Sequence, residues 1–564
     1  MRINPRNSKF QAYAMVLVIS FTAIGLLALA GVLSWAHSVG FRVGRTQDLQ
    51  RVQSAAEGVT TKAVSSIIQD FYTNGFATVD ANLTSYRTMV PTQTEAPAWQ
   101  YLSISSPSGT AGAMDVTRVV DKNFGLLNTK YTGLKGTGAT YRVAAIIKDS
   151  RDAKSAPGSM SIDLQLAEIP IFQFSTFYGV DMELFPTVIF QLNGRVHCNA
   201  NIYLNPNIVL TFYDEVTASG TISPNPSPNN IEGTYSGGSI VYSADHDERT
   251  TSFNLPAGGK NTASLMHQLI EIPPSSESAT SPLGKLRYYN QADMIIRITD
   301  TNATAFSGSY NNFATPIPWS IIGTFVTTNA VFYDYREGRN VRATDIDVLN
   351  LNANLISATS LLGRSVTTLY IADLRTNTLT SYAAVRLKRC QTLSGQGMTF
   401  ATPNPLYTVG HFNAGSSELG TTNTTTALRG GLACDAITIL SSSWSDNNSA
   451  SSLSARTAVA TTVNAGIFTG VVQTTNGNSG GGHEKTLRLL ENWSGRNLNF
   501  NGSIAVLCYS QTANTSWGAA NVYGAPAKRI FRYDKNFDIS GKMPYATPVV
   551  RAVFRDSWKT LSSY

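Results

Sequence analysis

The chain has 564 residues, with 43 Lys and Arg against 36 Asp and Glu, for a net charge of +7. Charged residues make up 14% of the chain, against roughly 25% in ordinary soluble domains, and the basic ones are spread along it. That pattern excludes a concentrated nucleic-acid patch and points to an exported, β-rich chain of two to four domains whose surface relies on Thr, Ser, Asn and Gly.

The first element in chain order is an apolar run. Gln11 to Phe41 carry no Asp, Glu, Lys or Arg, and Arg2, Arg6 and Lys9 precede them. A helix needs about 20 apolar residues to cross a bilayer, and Ala12 to Ala36 supply them. The expected membrane contacts are Ala12, Val16, Leu17, Ile19, Phe21, Ile24, Leu26, Leu27, Leu29, Val32, Leu33 and Trp35. Basic residues favour the cytoplasmic side, so the start of the chain is expected inside and the bulk outside, although Arg42 and Arg45 on the far flank weigh against that orientation. A cleaved secretory signal, a plain signal anchor and a pilin-type helix (half anchor, half stem) are the competing readings. The run exceeds the roughly 7–15 residues of a secretory core.

Helical periodicity continues past the run. Leu49, Val52, Ala56, Val59, Ala63 and Ile67 recur at steps of three and four and share one face. No Pro interrupts Ala12 to Tyr72, and Asn74-Gly75 is the nearest stop. One helix of about 60 residues would be about 90 Å long. Its second stripe is expected to be an assembly face for a protein partner, or to pack on the chain's own globular part.

Residues 75–168 read as a small β-rich domain, with strand-like runs at Gln100–Ile104, Thr140–Ile147 and Ser159–Leu166. Residues 169–564 read as a large β-rich domain. Its short strands (Phe190–Leu204, Ile208–Phe212, Glu215–Ile222) are broken by Asn and Gly, as in a sandwich or an irregular β-helix or solenoid. No rung-to-rung repeat is visible by eye. Pro- and Ser-rich stretches near Pro224–Asn230 and Ile272–Leu283 mark an insertion at about 224–320, and Ser441–Arg456 is a polar excursion. The fold class expected is therefore mainly β, with a long transmembrane α-helix near the start.

Four cysteines, Cys198, Cys390, Cys434 and Cys508, form no CxxC pair. They are candidates for two disulfides in any of three pairings, or for four buried thiols. Asp245-His246-Asp247-Glu248 and Asp446-Asn447-Asn448 are acidic enough to consider for metal but read as loops, and the EF-hand spacing is absent. Gly480-Gly481-Gly482-His483-Glu484-Lys485 misses the phosphate-loop spacing. A β-helix enzyme acting on polysaccharide would need carboxylates and basic residues on one face. His197, Asp214 and Glu215, or Asp334, Arg336 and Glu337, are the sets to test, against an ordinary role in turns. No cofactor or catalytic residue is implied.

Gln53-Ser54-Ala55-Ala56-Glu57-Gly58 after the apolar run resembles the stem of PilX-like, minor-pilin-like pilus-assembly proteins. Gly194-Arg195-Val196-His197-Cys198-Asn199-Ala200-Asn201-Ile202-Tyr203-Leu204, Phe332–Gly338, Phe400–Tyr407, Asp435–Ser441 and Leu490–Gly495 are also similar to segments of that group. The resemblance implies a non-enzymatic, single-pass inner-membrane protein with its bulk in the periplasm or at the cell surface. It implies pilus or pseudopilus components as partners, an adhesive role and a surface glycan as a candidate ligand. The alternative is a membrane-anchored β-helix enzyme. The chain departs from the pilin pattern in two places: Lys9-Phe10 lacks the Gly at which prepilin peptidases usually cut, and no Glu falls in the apolar run.

Overall fold

The computed structural model describes residues 8–151, 155–230, 237–308, 315–362, 365–518, 520–526 and 528–561. The first element is a single helix, α1 (Ser8–Asn74), of 67 residues, at 1.5 Å per residue about 100 Å long. It ends at the Asn74-Gly75 stop, and two short helices, α2 (Phe76–Ala81) and α3 (Leu83–Arg87), turn the chain back along it.

A small antiparallel sheet follows, built from β1 (Leu102–Ser105), β2 (Asp115–Leu126), β3 (Lys135–Asp149) and β4 (Gly158–Pro170). One edge of β3 takes β2 and β1, and the other takes β4. The free edge of β4 is closed by the last strand of the chain, Val549–Lys559. The boundary at 168/169 therefore needs correction. β4 runs on to Pro170, and the final strand belongs with the small domain, so the large body is an insertion between two neighbouring strands of one sheet. Pairing of strands this far apart in the chain leaves no local trace in sequence.

The large body starts with short strands: β5 (Thr176–Tyr178), β6 (Met182–Leu184), β7 (Phe190–Asn193), β8 (Val196–Cys198), β9 (Ile202–Leu204), β10 (Val209–Phe212), β11 (Val216–Ala218), β12 (Ile222–Ser223), β13 (Ser239–Tyr242) and β14 (His246–Asp247). All pair in parallel. Leu210 sits beside Phe190, Val216 beside Val196 and Ile222 beside Ile202, so the offset along the chain is the same in all three pairs. This is the repeat that inspection by eye misses, because only the apolar character of the inward positions recurs.

Residues 250–291 leave the stack as an excursion with helices α4 (Ala263–His267), α5 (Pro282–Leu286) and α6 (Tyr288–Gln291). The insertion is narrower than 224–320. β13 and β14 are tier strands, and β15 (Met294–Ile298) and β16 (Ala303–Ser307) already belong to the large sheet. β17 (Thr315–Pro316), α7 (Trp319–Ile322), β18 (Val326–Asp334), β19 (Arg339–Asp347) and α8 (Val348–Leu362) complete that end.

From there the chain alternates between two walls. β20 (Thr368–Asp373), β22 (Thr399–Ala401), β24 (Gly431–Cys434), β26 (Thr461–Val471), β28 (Asn497–Tyr509) and β29 (Lys528–Arg532) pair in parallel on one side. β21 (Ser381–Lys388), β23 (Leu406–Val409), β25 (Ile437–Leu440) and β27 (Leu487–Arg488) pair in parallel on the other, beside β19. β28 then pairs with β5 and β29 with β7, so the last turns stack on the first and one apolar core runs from Tyr178 to Phe531. β30 (Val549–Lys559) returns to the small sheet.

Cys198, Cys390, Cys434 and Cys508 are all buried free thiols, so the disulfide expectation is corrected. Cys434 on β24 and Cys508 on β28 are separated by β26. Two strand spacings are about 9.6 Å, beyond the reach of about 7 Å between bridged Cα atoms. Burial pushes the Cys198 and Cys390 thiols up to about 12, so they act as small apolar fillers.

Candidate functional site

α1 has two halves. From Tyr13 to about Gln50 its surface is almost entirely exposed, and it is long and apolar enough to cross a membrane. Val16, Leu17, Ile19, Phe21, Ile24, Leu26, Leu29, Val32 and Leu33 all point outward, with Leu27 74% and Trp35 67% exposed. Ala12 lies in the helix, and its side chain falls outside the described residues. An apolar surface on every side of a helix, with no protein against it, matches a lipid environment.

The second half is sealed. Val52, Ala56, Val59, Ala63 and Ile67 are fully buried, whereas Leu49, nearer the bare half, is 45% exposed. They share a core with Tyr141, Val143 and Ala145 of β3 and Leu164 and Leu166 of β4. The expected assembly face is therefore covered by the chain's own sheet, which supplies the burial that an apolar stripe in water requires, and only Leu49 is left outside.

Contact is closest at Gly158, the first residue of β4. A Cβ there would collide with the Val52 carbonyl and the Gln53 amide of α1. Gln53 donates from Nε2 to the Ser159 carbonyl at 3.0 Å and accepts from the Ser159 amide at 3.3 Å. The Gln53–Gly58 segment thus has a defined physical role: small side chains at Ala55 and Ala56 let the sheet approach, and Gln53 hydrogen-bonds to its edge. At the far end, Asp70 accepts from Tyr86 Oη at 2.5 Å and Asn82 Nδ2 at 2.8 Å, and Arg551 of β30 donates to the Tyr72 carbonyl at 3.0 Å.

A polar groove of about 880 Å³ lies on the head where the last turns of the stack meet the first. It is lined by the β7–β8 turn with Gly194 and Arg195, by Asp214, by the loop Thr422–Thr425, and by the end of β29 with Arg532 and the turn after it, which carries Tyr533, Lys535 and Asp538. Arg532 is paired in register with Asn193 across β29 and β7. Gly194 has φ +111°, and a Cβ there would meet Tyr533 Cβ at 2.5 Å and Ser175 Cβ at 2.7 Å, so only glycine fits at that point. The walls are pinned together. Thr424 donates to the buried Asp534 carboxylate at 2.7 Å, and Asn536 donates to the Thr424 carbonyl at 2.7 Å.

The groove carries three cations in different states. Arg195 is spent on the Thr132 carbonyl, at 3.0 and 2.7 Å. Among the described residues the side chains of Arg532 and Lys535 have neither hydrogen bond nor ion pair. Of the acids, Asp214 accepts from the Gly194 amide at 2.8 Å and Asp538 from Tyr533 Oη at 3.0 Å. Nothing in the sequence marks this groove, since Arg195 and Arg532 come from opposite ends of the head and meet only through the β29–β7 pairing.

In the first candidate set Asp214 and Glu215 line a shared cavity of about 300 Å³ with Arg195, and His197 lies apart from them. His197 is buried between Phe177, Phe174 and Phe253 and bonded to Thr217 and Asn199, and burial lowers it to about 4. Asp214 also lines the groove, and Glu215 accepts from the Thr132 amide. Asp334 is buried, accepting from Tyr407 at 2.6 Å and Tyr382 at 3.0 Å. Glu337 pairs with Arg488 at 2.8 Å, and Arg336 donates to the Lys485 carbonyl at 3.2 Å. Glu337 also accepts from the Thr515 amide at 3.1 Å, which fastens that segment over the sheet.

The acidic loops have other partners too. Asp247 pairs with Lys130 at 2.8 Å, Glu248 accepts from the Ile222 amide at 2.6 Å, His246 stacks on Tyr242 and Asp446 binds Arg386 at 2.6 Å. Among the described residues no group of three or more His, Cys, Asp or Glu is placed to hold a metal. Gly481 and Gly482 form a turn with positive φ.

His267 of α4 was not singled out by its sequence context. It lies buried between Glu271 at 2.6 Å and Asp435 at 3.0 Å. Burial alone would lower its pKa, but the hydrogen bonds to the two carboxylates prevail and raise it to about 9. It is an ionic clamp holding the excursion to the stack.

Comparison with known proteins returns no match to any family model, curated protein or solved structure.

Proposed function

We propose that the chain is a membrane-anchored, pilin-like component of the cell envelope, associated with a type IV pilus or pseudopilus and non-enzymatic. One observation carries the reading: an uninterrupted helix of 67 residues is divided into a bare apolar half and a half sealed to an antiparallel sheet. The bare half would hold the subunit in the inner membrane. The sealed half would fix the head rigidly to the anchor, with the bulk in the periplasm or at the cell surface. We read the parallel stack as an irregular β-helix, supported by the parallel pairing, the equal offset among the first tiers and the continuous core. A structural and adhesive role is supported by the burial and fixed partners of His197, Asp334 and Glu337.

Immunogold labelling of surface filaments tests the reading. Label along or at the ends of pili is expected, and consistent absence of label together with cleavage of a glycan by the purified protein would sink it. Mass spectrometry of the native N-terminus tests processing. A start near Phe10 supports the pilin route, whereas an intact Met1 or Arg2 excludes both peptidase routes.

A further inference from the structure

We propose that the groove between the β7–β8 turn, the end of β29 and the Thr422–Thr425 loop binds an anionic carbohydrate chain bearing carboxylates, of the polyuronate class. The inference rests on the adhesive reading above and names the ligand class for it. Arg532 and Lys535 line a cavity of about 880 Å³ with no partner for their charge among the described residues. A cation held on a rigid wall and left unpaired is available to an incoming anion. The walls are rigid because Thr424, Asp534 and Asn536 tie them to each other, so little ordering cost opposes binding.

The rest of the lining selects the class. Thr422, Asn423, Thr425 and Asn193 offer neutral donors and acceptors suited to hydroxyl groups. Only Tyr533 and Ile539 are apolar in character, too little for the buried side-chain anchors that peptide recognition uses. Asp214 and Asp538 also line the groove, and they repel a densely charged phosphate backbone more than an anion whose charges are widely spaced. A carbohydrate with one carboxylate per sugar spaces its charges more widely. Arg532 and Asn193 sit on adjacent strands about 4.8 Å apart, comparable to a single sugar repeat, so a chain crossing the strands would meet one after the other.

The test uses the full chain in detergent micelles, immobilised, with polygalacturonate, dextran and polyglutamate as soluble probes. Polygalacturonate is expected to bind, weakening as salt is raised, and dextran is expected not to. The double variant Arg532→Ala/Lys535→Ala should bind polygalacturonate about tenfold more weakly, the loss of two solvent-facing ion pairs. Lys528→Ala changes an exposed lysine at the other end of β29, outside the groove, and should leave binding unchanged. Binding of the double variant equal to wild type, binding of dextran equal to polygalacturonate, or equal binding of polyglutamate would each overturn the proposal. The measurement involves neither membrane nor filament, so its failure is separate from failure of the anchoring and pilus reading.

Discussion

The two halves of α1 share a backbone and differ in everything that surrounds it. Between Tyr13 and Gln50 the helix is almost fully exposed, and between Val52 and Phe71 one stripe of it is closed under β3 and β4. From Tyr13 to Phe41 the outer half carries apolar residues on all sides and no Asp, Glu, Lys or Arg, so no single sheet could cover it, and a bilayer can. The inner half confines its apolar residues to steps of three and four, leaving Glu57, Lys62 and Asp70 to other faces, so a single sheet suffices. Angular distribution of apolar residues, more than their number, decides which solvent each half needs.

The strongest way to break this comparison is to place charge in the outer half. Ile24→Arg with Leu27→Arg puts two guanidinium groups near the middle of the run, at about 2.5–3.5 kcal/mol each in a bilayer. The protein should leave the membrane fraction while the thermal unfolding of the head stays as in wild type. Retention in the membrane would mean that the outer half is not the anchor.

The inner half should answer in the opposite way. Val59→Asp buries a carboxylate in the fully covered helix–sheet core, a loss of about 3–5 kcal/mol for an unpaired buried charge. Denaturant unfolding should show the loss, and proteases should cut the stem near Gly75, with membrane retention unchanged. Gly158→Val should act similarly by pushing α1 off β4. Normal stability of both variants would refute the sealed interface.

These halves also mark how much was legible. Periodicity gave the helix, its stop at Asn74-Gly75 and the stripe, because each depends on neighbours within one or two turns. It could not say what covers the stripe, since β3 and β4 come well after it in the chain, past two short helices and two other strands. The closing strand Val549–Lys559 is separated from its partner β4 by the whole large body. The groove was hidden for the same reason: Arg195 and Arg532 look like any surface arginines until β29 is laid beside β7. The equal offset among the first tiers went unseen because later tiers are spaced differently and inward positions vary among Phe, Leu, Val and Ile, which a core tolerates when its total volume is kept.

Titration separates anchor from head without mutating either. Ala14 to Ala36 contain no ionisable group, so their part in membrane retention should be flat with pH. The head contains the His267 clamp, whose folded pKa of about 9 lies above the ordinary 6.5. The charged imidazole therefore favours the folded state. Its contribution is complete below about pH 6.5 and is lost as pH rises through about 9, a loss of about 3 kcal/mol. Urea midpoints measured from about pH 6 to about pH 9.5 should fall in wild type and fall less in His267→Gln. Equal slopes in the two proteins would remove His267 as the cause.

The smallest effect probes the seam where the bare helix becomes the sealed one. Gln53 is half-buried and gives Ser159 one donor and one acceptor, at 3.0 and 3.3 Å. Gln53→Ala removes both hydrogen bonds, and water reaches the freed groups in part, so a loss of about 1 kcal/mol is expected. Gln53→Glu keeps the acceptor but turns the donor into a second oxygen facing the Ser159 carbonyl. At neutral pH it should therefore be less stable than the alanine variant despite its closer shape. Below about pH 4 the protonated Glu can donate again and should overtake alanine. If Glu and Ala were equally stable at both pH values, Gln53 would contribute packing alone, and the seam would be set by Gly158 and the small residues beside it.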